Sequence, residues 1–301
     1  MNIPIRNIMD FLNRDILRVD GNFEGREIKY LKDPNNVDEH TLDWVNPIKA
    51  NGQEIAECSK AKTIIVATNI VYTEKIKRQG KVLLFVANPK LIIAKVANHF
   101  FTPNLSKEIH LTAVIHPDVK IGSNASIGPH CVIGKCTIGE NVEIHGNVCL
   151  YDNVVIGNDV EIHAGVVIGC EAHNFVEDKA GDKIKFPHLG NVIIGDHIIV
   201  GANSVVCRGV LSDTVIGNGT KIAQSVLIGA NNKIGKNCAI RGGAKIAGSV
   251  RIQDGVIIGL GAMIREQLVI GESVMVGMGS VVTKDVPRGE VWIGNPAKNM
   301  R

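Results

Sequence analysis

Four histidines, His145, His163, His173 and His188, crowd one stretch of this 301-residue chain. Neutral imidazole is the usual side chain for taking a proton near pH 7, a service worth about 10²–10⁴-fold in rate. The spacing divides them into two kinds. His145 and His163 each follow an aliphatic residue, Ile144 and Ile162, and lie 18 residues apart. His173 and His188 fall in a polar run, Gly169–Asn191 (GCEAHNFVEDKAGDKIKFPHLGN), together with Lys179, Lys183 and Lys185. A base serving a bound nucleophile is expected first at His173, then at His188, with His163 in support. His145 and Tyr151 are expected against the substrate, and Asp152 and Asp213 are weaker carboxylate candidates. Each of these residues also has a bland reading as a solvated turn or loop group. No C-x-x-C occurs among the seven cysteines, and no third histidine stands at short spacing from the 145/163 pair, so no metal site is expected.

The elements that must hold these groups follow from a six-residue period. An aliphatic residue, usually followed by Gly, recurs at Ile121, Ile127 and Ile133, then from Ile138 through Ile144, Leu150, Ile156 and Ile162 to Ile168. It resumes at Ile194, Val200 and Val206 and runs again from Ile216 to Val282. Degenerate units at Ile109 and Ile115 precede it. Such self-similarity predicts a parallel β-helix, one short strand and one turn per hexad, three hexads per triangular coil, roughly eight coils in all. The aliphatic residue should point inward, and Gly should supply a permissive corner backbone. His145 and His163 then stack on one corner, a full coil apart. Cys131, Cys136 and Cys238 occupy inward small-residue slots and read as core fillers.

Function in a solenoid is sought where the period fails. One residue is missing between Ile133 and Ile138, a turn adjustment without assignable chemistry. Gly169–Asn191 leaves the coil as a long loop, and a shorter insertion carrying Arg208, Asp213 and Thr214 follows Val206. Loops beyond about 12–15 residues in compact domains are usually functional or disordered, so the first is expected to wall an active site.

Composition shifts near residue 103: eight of the twelve aromatics precede it. Residues 1–103 are predicted to form a small α/β domain with buried strands at Thr63–Ala67 and Val82–Val86. A helix should start at Asn88-Pro89 and run to about Phe100. Residues 104–288 form the β-helix, and 289–301 a C-terminal tail. The net charge of +3 without a basic tract argues against a nucleic-acid partner. Neither a long apolar run nor a signal-like start is present, which points to a cytoplasmic protein without an integral membrane segment.

The chain resembles the UDP-3-O-acylglucosamine N-acyltransferase family within the hexapeptide-repeat acyltransferases. His40–Lys49 (HTLDWVNPIK) is similar to that family's uridine-binding stretch, and Val192–Ile216 and Gly217–Gly248 follow its central coils, insertions included. The resemblance implies a left-handed β-helix, a homotrimer with sites in clefts between prisms, a nucleotide-linked amino sugar as acceptor and an acyl thioester as donor. It also marks departures. Ile228-Gly229-Ala230-Asn231 stands where the family has a general-base His, and Gln267 where it has a second. The uracil-stacking aromatics fall on Asp43 and Lys49, with Trp44 adjacent and Asn46 kept. Gly289–Lys298 (GEVWIGNPAK) resembles the end of sugar acetyltransferases that use a CoA thioester.

These points lead to an expected transfer from acyl-CoA, or an acyl carrier protein, to the amino group of a nucleotide sugar for a surface polysaccharide or lipopolysaccharide. Trp44 would stack on the base and Asn46 bond it. Gly259, Gly261, Gly277 and Gly279 would leave a surface for pantetheine, with Lys284, Arg288 and Lys298 meeting phosphates. Trp292 could equally lid the last coil. The open alternatives are lipid A N-acylation, sugar O-acetylation, a zinc enzyme of the γ-class carbonic anhydrase type and a non-catalytic trimeric scaffold.

Overall fold

The computed structural model describes residues 2–46, 50–102 and 107–300. The chain divides into two compact units, Met1–Asn104 and Leu105–Arg301. The connection expected at Phe101–Leu105 runs largely outside the described residues, as does Lys49.

In the second unit each hexad yields a strand of two to four residues, and successive coils pair in parallel. Three sheets of ten, nine and eight strands result, the faces of a left-handed parallel β-helix. The first face carries the ladder Ser126–Ile127, Glu143–Ile144, Glu161–Ile162 and Ile199–Val200. The second carries Val132–Ile133, Cys149–Leu150, Val167–Cys170 and Val205–Cys207. Thr137–Ile138, Val154–Ile156, Val192–Ile194 and Thr214–Ile216 belong to the third. Ile144, Ile162, Ile168 and Ile216 are each at most 2% exposed, and burying such a side chain is worth about 1.5–3 kcal/mol. Cys131, Cys136 and Cys238 are buried among them. The missing residue after Ile133 is absorbed in one short coil: Ser126 pairs with Glu143, one residue nearer in sequence than Glu143 is to its own partner, Glu161.

Glycine has two jobs, only one of them expected. The left-handed corner positions are shared by asparagine, as at Asn124, Asn141, Asn147 and Asn203, whose side chain tolerates positive φ, and by glycine, as at Gly165, Gly219, Gly243 and Gly261. The Gly after the aliphatic residue is needed for close approach between coils. A methyl group on Gly217 would lie 2.7 Å from the Gly235 carbonyl carbon.

The first unit has a four-stranded sheet. Ile16–Asp20 runs antiparallel to Val82–Val86, and Thr63–Ala67 and Leu42–Trp44 follow in parallel. Both anticipated strands have their expected bounds. The helix at Pro89–Val96 is capped by the Asn88 side chain, which accepts from the Leu91 amide at 3.1 Å. It loosens into a π-turn at Ala97–Phe101, short of the regular helix expected to Phe100. Among the described residues no helix is long and apolar enough to cross a membrane.

Candidate active site

Both insertions leave the prism at the corner between its second and third faces, one coil apart. Gly169–Asn191 folds outward as a hairpin, Phe175–Glu177 against Lys183–Lys185. It then returns through His188. Leu189 and Gly190 donate to the carbonyls of Val210 and Gly209, so the return strand lies along the second insertion. Asn231 fastens that insertion from the coil above, accepting from the Val210 amide at 2.7 Å and the Ser212 hydroxyl at 3.3 Å. The residue beside it, Ala230, is the one that replaces a histidine in the resembled family. The Asp213 carboxylate is occupied by the Asn191 amide and that of Asp152 by the Lys135 amide, so both serve turns.

His188 is the most unusual group at this corner. It is 3% exposed, yet neither ring nitrogen has a hydrogen-bond partner among the described residues. Its amide donates to Glu171 at 3.4 Å, and Glu171 pairs with Lys185, which holds the carboxyl below its ordinary range. An imidazole buried without partners costs about 1–3 kcal/mol, which a ligand or water would recover. His173, by contrast, is exposed and packs on Phe175 at the hairpin's root, ring centroids 4.5 Å apart. Tyr151, half exposed, underlies Gly169 where the loop departs. Arg208 donates to the Asp152 carbonyl at 2.7 Å, leaving its Nε buried and unpartnered. Below it Cys170 and Cys207 pair across coils, Sγ to Sγ 3.9 Å. This thiol–thiol contact brings Cys170 down to about 7, while Cys207 itself is pushed up.

The other histidine pair is elsewhere. His145 and His163 end strands of the first face and stack at the first–second corner, centroids 4.8 Å apart and planes 10° from parallel. The second face separates them from His173 and His188 within one chain. Glu143 and Glu161, absent from the expected site, accompany them: His145 Nε2 is 3.1 Å from Glu143 and 3.5 Å from Glu161, and His163 Nε2 is 3.0 Å from Glu161. The signal was in the sequence as a repeated triplet, Glu143-Ile144-His145 and Glu161-Ile162-His163, with an earlier copy at Glu108-Ile109-His110.

The proposed donor surface is scattered. Gly261 and Gly279 have positive φ and open space where a Cβ would go, whereas Gly259 and Gly277 are crowded by the next coil or by Ile293. All four lie on the first–second corner. Lys284 follows the second face instead, Arg288 pairs with Glu272 at 3.3 Å, and Lys298 is exposed on the last strand pair. Trp292 packs on the prism core with its Nε1 donating to Glu290 at 2.6 Å. In the first unit Trp44 and Asn46 line a cavity of about 350 Å³ with Pro34, Ile55 and Ser59. Trp44 also touches the core behind it. Asp43 is buried and spent on Ser59 and the Trp44 amide, so it is no stacking substitute.

The bacterial transferase hexapeptide (six repeats) profile matches residues 135–170. A UDP-3-O-acylglucosamine N-acyltransferase of Coxiella burnetii is 35% identical over 183 residues, 54% of this chain and 54% of its own. A namesake from Polynucleobacter asymbioticus is 34% identical over 174 residues, 50% and 49% of the two chains. The chain thus spans about half the length of the curated relatives it matches. Among solved structures, a UDP-N-acetylglucosamine acyltransferase of Francisella novicida superposes with a TM-score of 0.58 at 30% identity, covering 64% of this chain and 68% of its own. The UDP-N-acetylglucosamine O-acyltransferase of Moraxella catarrhalis gives 0.59 at 28%, over 64% and 73%.

Proposed function

We propose that this protein transfers an acyl group from a thioester, acyl-CoA or an acyl carrier protein, to the amino group of a nucleotide-linked sugar. The observation that carries the reading is the second–third corner. Two insertions close there over an unpartnered buried histidine, beside the position of the resembled family's base. The relatives' names supply the substrate class.

In the reaction the amine lone pair attacks the thioester carbonyl carbon. The C–N bond forms, the C–S bond breaks, and the sulfur leaves with its electron pair. His188 takes the ammonium proton and returns it to the thiolate, once the hairpin shifts to admit substrate. Lys185 and the Arg208 guanidinium are the cations on hand for the developing oxyanion and for phosphate. Holding amine and thioester together supplies much of the remaining rate, since orientation alone is worth several kcal/mol. Trp44 would receive the nucleotide base.

A homotrimer completes the site in this reading. The outward positions of the second face are apolar along almost its whole height: Val114, Val132, Leu227 and Met263 are 66%, 51%, 40% and 46% exposed, interrupted only by Lys245. A solvated apolar strip of that kind supports contact with further copies of this chain. The solved O-acyltransferase of Moraxella catarrhalis favours a second reading, transfer to a sugar hydroxyl.

The test is incubation with acetyl- and longer acyl-CoA, acyl carrier protein thioesters and UDP- or dTDP-amino sugars, with products followed by mass. An alkali-stable product identifies the amide, an alkali-labile one the ester. Absence of any acylated sugar, with no nucleotide bound, would refute the proposal.

A further inference from the structure

The glutamate–histidine stack at the first–second corner is not used by this chemistry. We propose that His145, His163 and Glu161 form a binding site for one divalent transition-metal ion of the zinc class, with Glu143 as a fourth donor.

Two neutral imidazoles and a carboxylate are ordinary zinc ligands, at about 2.0–2.2 Å each, and a tetrahedral ion spaces such atoms roughly 3.3–3.6 Å apart. Here Glu161 Oε1 lies 3.0 Å from His163 Nε2 and 3.5 Å from His145 Nε2. The three donor atoms all fall within 4.8 Å of one another. Stacked 10° from parallel, the two rings do not aim their lone pairs at one point, so both must turn about their Cβ–Cγ bonds before they share an ion. The corner leaves room for this, since His145 and His163 retain 31% and 37% of their side-chain exposure.

One donor position is also unsatisfied. His145 Nε2 is shielded from solvent and makes no well-directed hydrogen bond, although Glu143 is only 3.1 Å away. A nitrogen close to two carboxylates without an aligned bond to either is placed for a shared cation.

One coil below, the repeat substitutes Ser126 and Gly128 for the glutamate and histidine, which opens a cleft of about 230 Å³. Glu108 and His110 from the degenerate first coil face it from the far side. An ion at His145 and Glu161 would keep a coordination position toward that cleft, as catalytic rather than purely structural zinc sites do. Stacking builds the site: one triplet, Glu-Ile-His, is copied at one-coil intervals, so its ligands align without any loop.

Tag-free, chelator-stripped full-length protein titrated with Co²⁺ tests the proposal by calorimetry and visible absorption. One equivalent per chain is expected, with the ligand-field bands of four- or five-coordinate cobalt. Glu161→Gln and His163→Ala should each weaken binding by at least about 10–100-fold, the loss seen even for groups that merely support a ligand. The isosteric Glu161→Gln carries the test if His163→Ala fails to fold. Cys170→Ser/Cys207→Ser should bind as wild type does. No binding by the wild type, undiminished affinity in Glu161→Gln, or sulfur-to-cobalt charge-transfer bands lost in the cysteine variant would each overturn it.

Discussion

The two corners that carry histidines are made by opposite means. At the first–second corner the coil never breaks, and Glu143, His145, Glu161 and His163 are aligned by the 18-residue return of the ladder itself. At the second–third corner the chain leaves the prism twice, and His188 reaches its place only because Leu189–Gly190 bonds to Gly209–Val210 and Asn231 holds that segment. Stacking repeats a residue; insertion brings together residues of different kinds. The first device suits a site of like ligands, the second a site that needs acid, base and cation in one place.

The largest expected effect separates the corners by function. His188→Ala should lower kcat by about 10²–10⁴-fold, the usual contribution of a positioned base, whereas His173→Ala should leave kcat nearly unchanged. Steady-state kinetics on the acylation assay decide this. A reversal, with His173 essential and His188 dispensable, would move the base to the hairpin's outer root and break the contrast as drawn.

The next prediction concerns the scaffold both corners share. Gly217→Ala forces a methyl group to 2.7 Å from backbone of the next coil, so two coils must part; about 3 kcal/mol of destabilisation is expected, the upper end for overpacking. Gly261→Ala meets nothing within 4 Å and carries only the left-handed backbone penalty, about 1–2 kcal/mol. Denaturant melts of the two variants should rank in that order. Equal losses would mean that corner conformation, not coil spacing, governs these glycines.

How far the sequence disclosed this arrangement depends on the range of the interaction. The ladder was legible because each inward Ile repeats a purely local rule, and the stacked His145–His163 pair follows from counting one coil. The Gly directly after each aliphatic residue was only half legible, because the sequence shows Gly at a corner but not the backbone opposite it, nor that the positive φ falls later in the hexad, on Asn124 or Gly261. Glu143 and Glu161 were equally visible as partners, since each stands two residues before its histidine and returns with it one coil later. His188 could not be ranked above His173 from sequence. Both lie in one polar run, and burial is decided by a contact with Gly209–Val210 some 20 positions on.

A thiol gives a finer probe of the second–third corner. Cys170 should alkylate with a pH midpoint near 7, because the Cys207 S–H bond favours its thiolate. The sign is direct: reactivity rises as pH climbs through that value. Cys207→Ala removes the donor and should shift the midpoint upward. At neutral pH Cys170 should outpace Cys136, which burial raises to about 11. Peptide mapping after brief iodoacetamide treatment of a Cys58→Ser background reads both rates. A Cys170 no faster than Cys136 would show that the pair is not hydrogen-bonded at the loop's base.

The smallest effect tests whether the second insertion is held from above. Asn231 Oδ1 accepts from Val210 and Ser212. Asn231→Ala leaves the Val210 amide short of a partner and should cost about 1–2 kcal/mol. Asn231 also has φ +62°, so part of that loss is backbone strain. Asn231→Gly separates the two, since it removes the acceptor while tolerating the conformation. Hydrogen exchange at Val210 and Leu189 should quicken in both variants, while amides of the first–second corner, such as His145 and His163, keep their wild-type protection. If exchange instead quickened equally at both corners, the insertion would be coupled to the whole coil stack, and the division between a stacked site and an assembled one would fail.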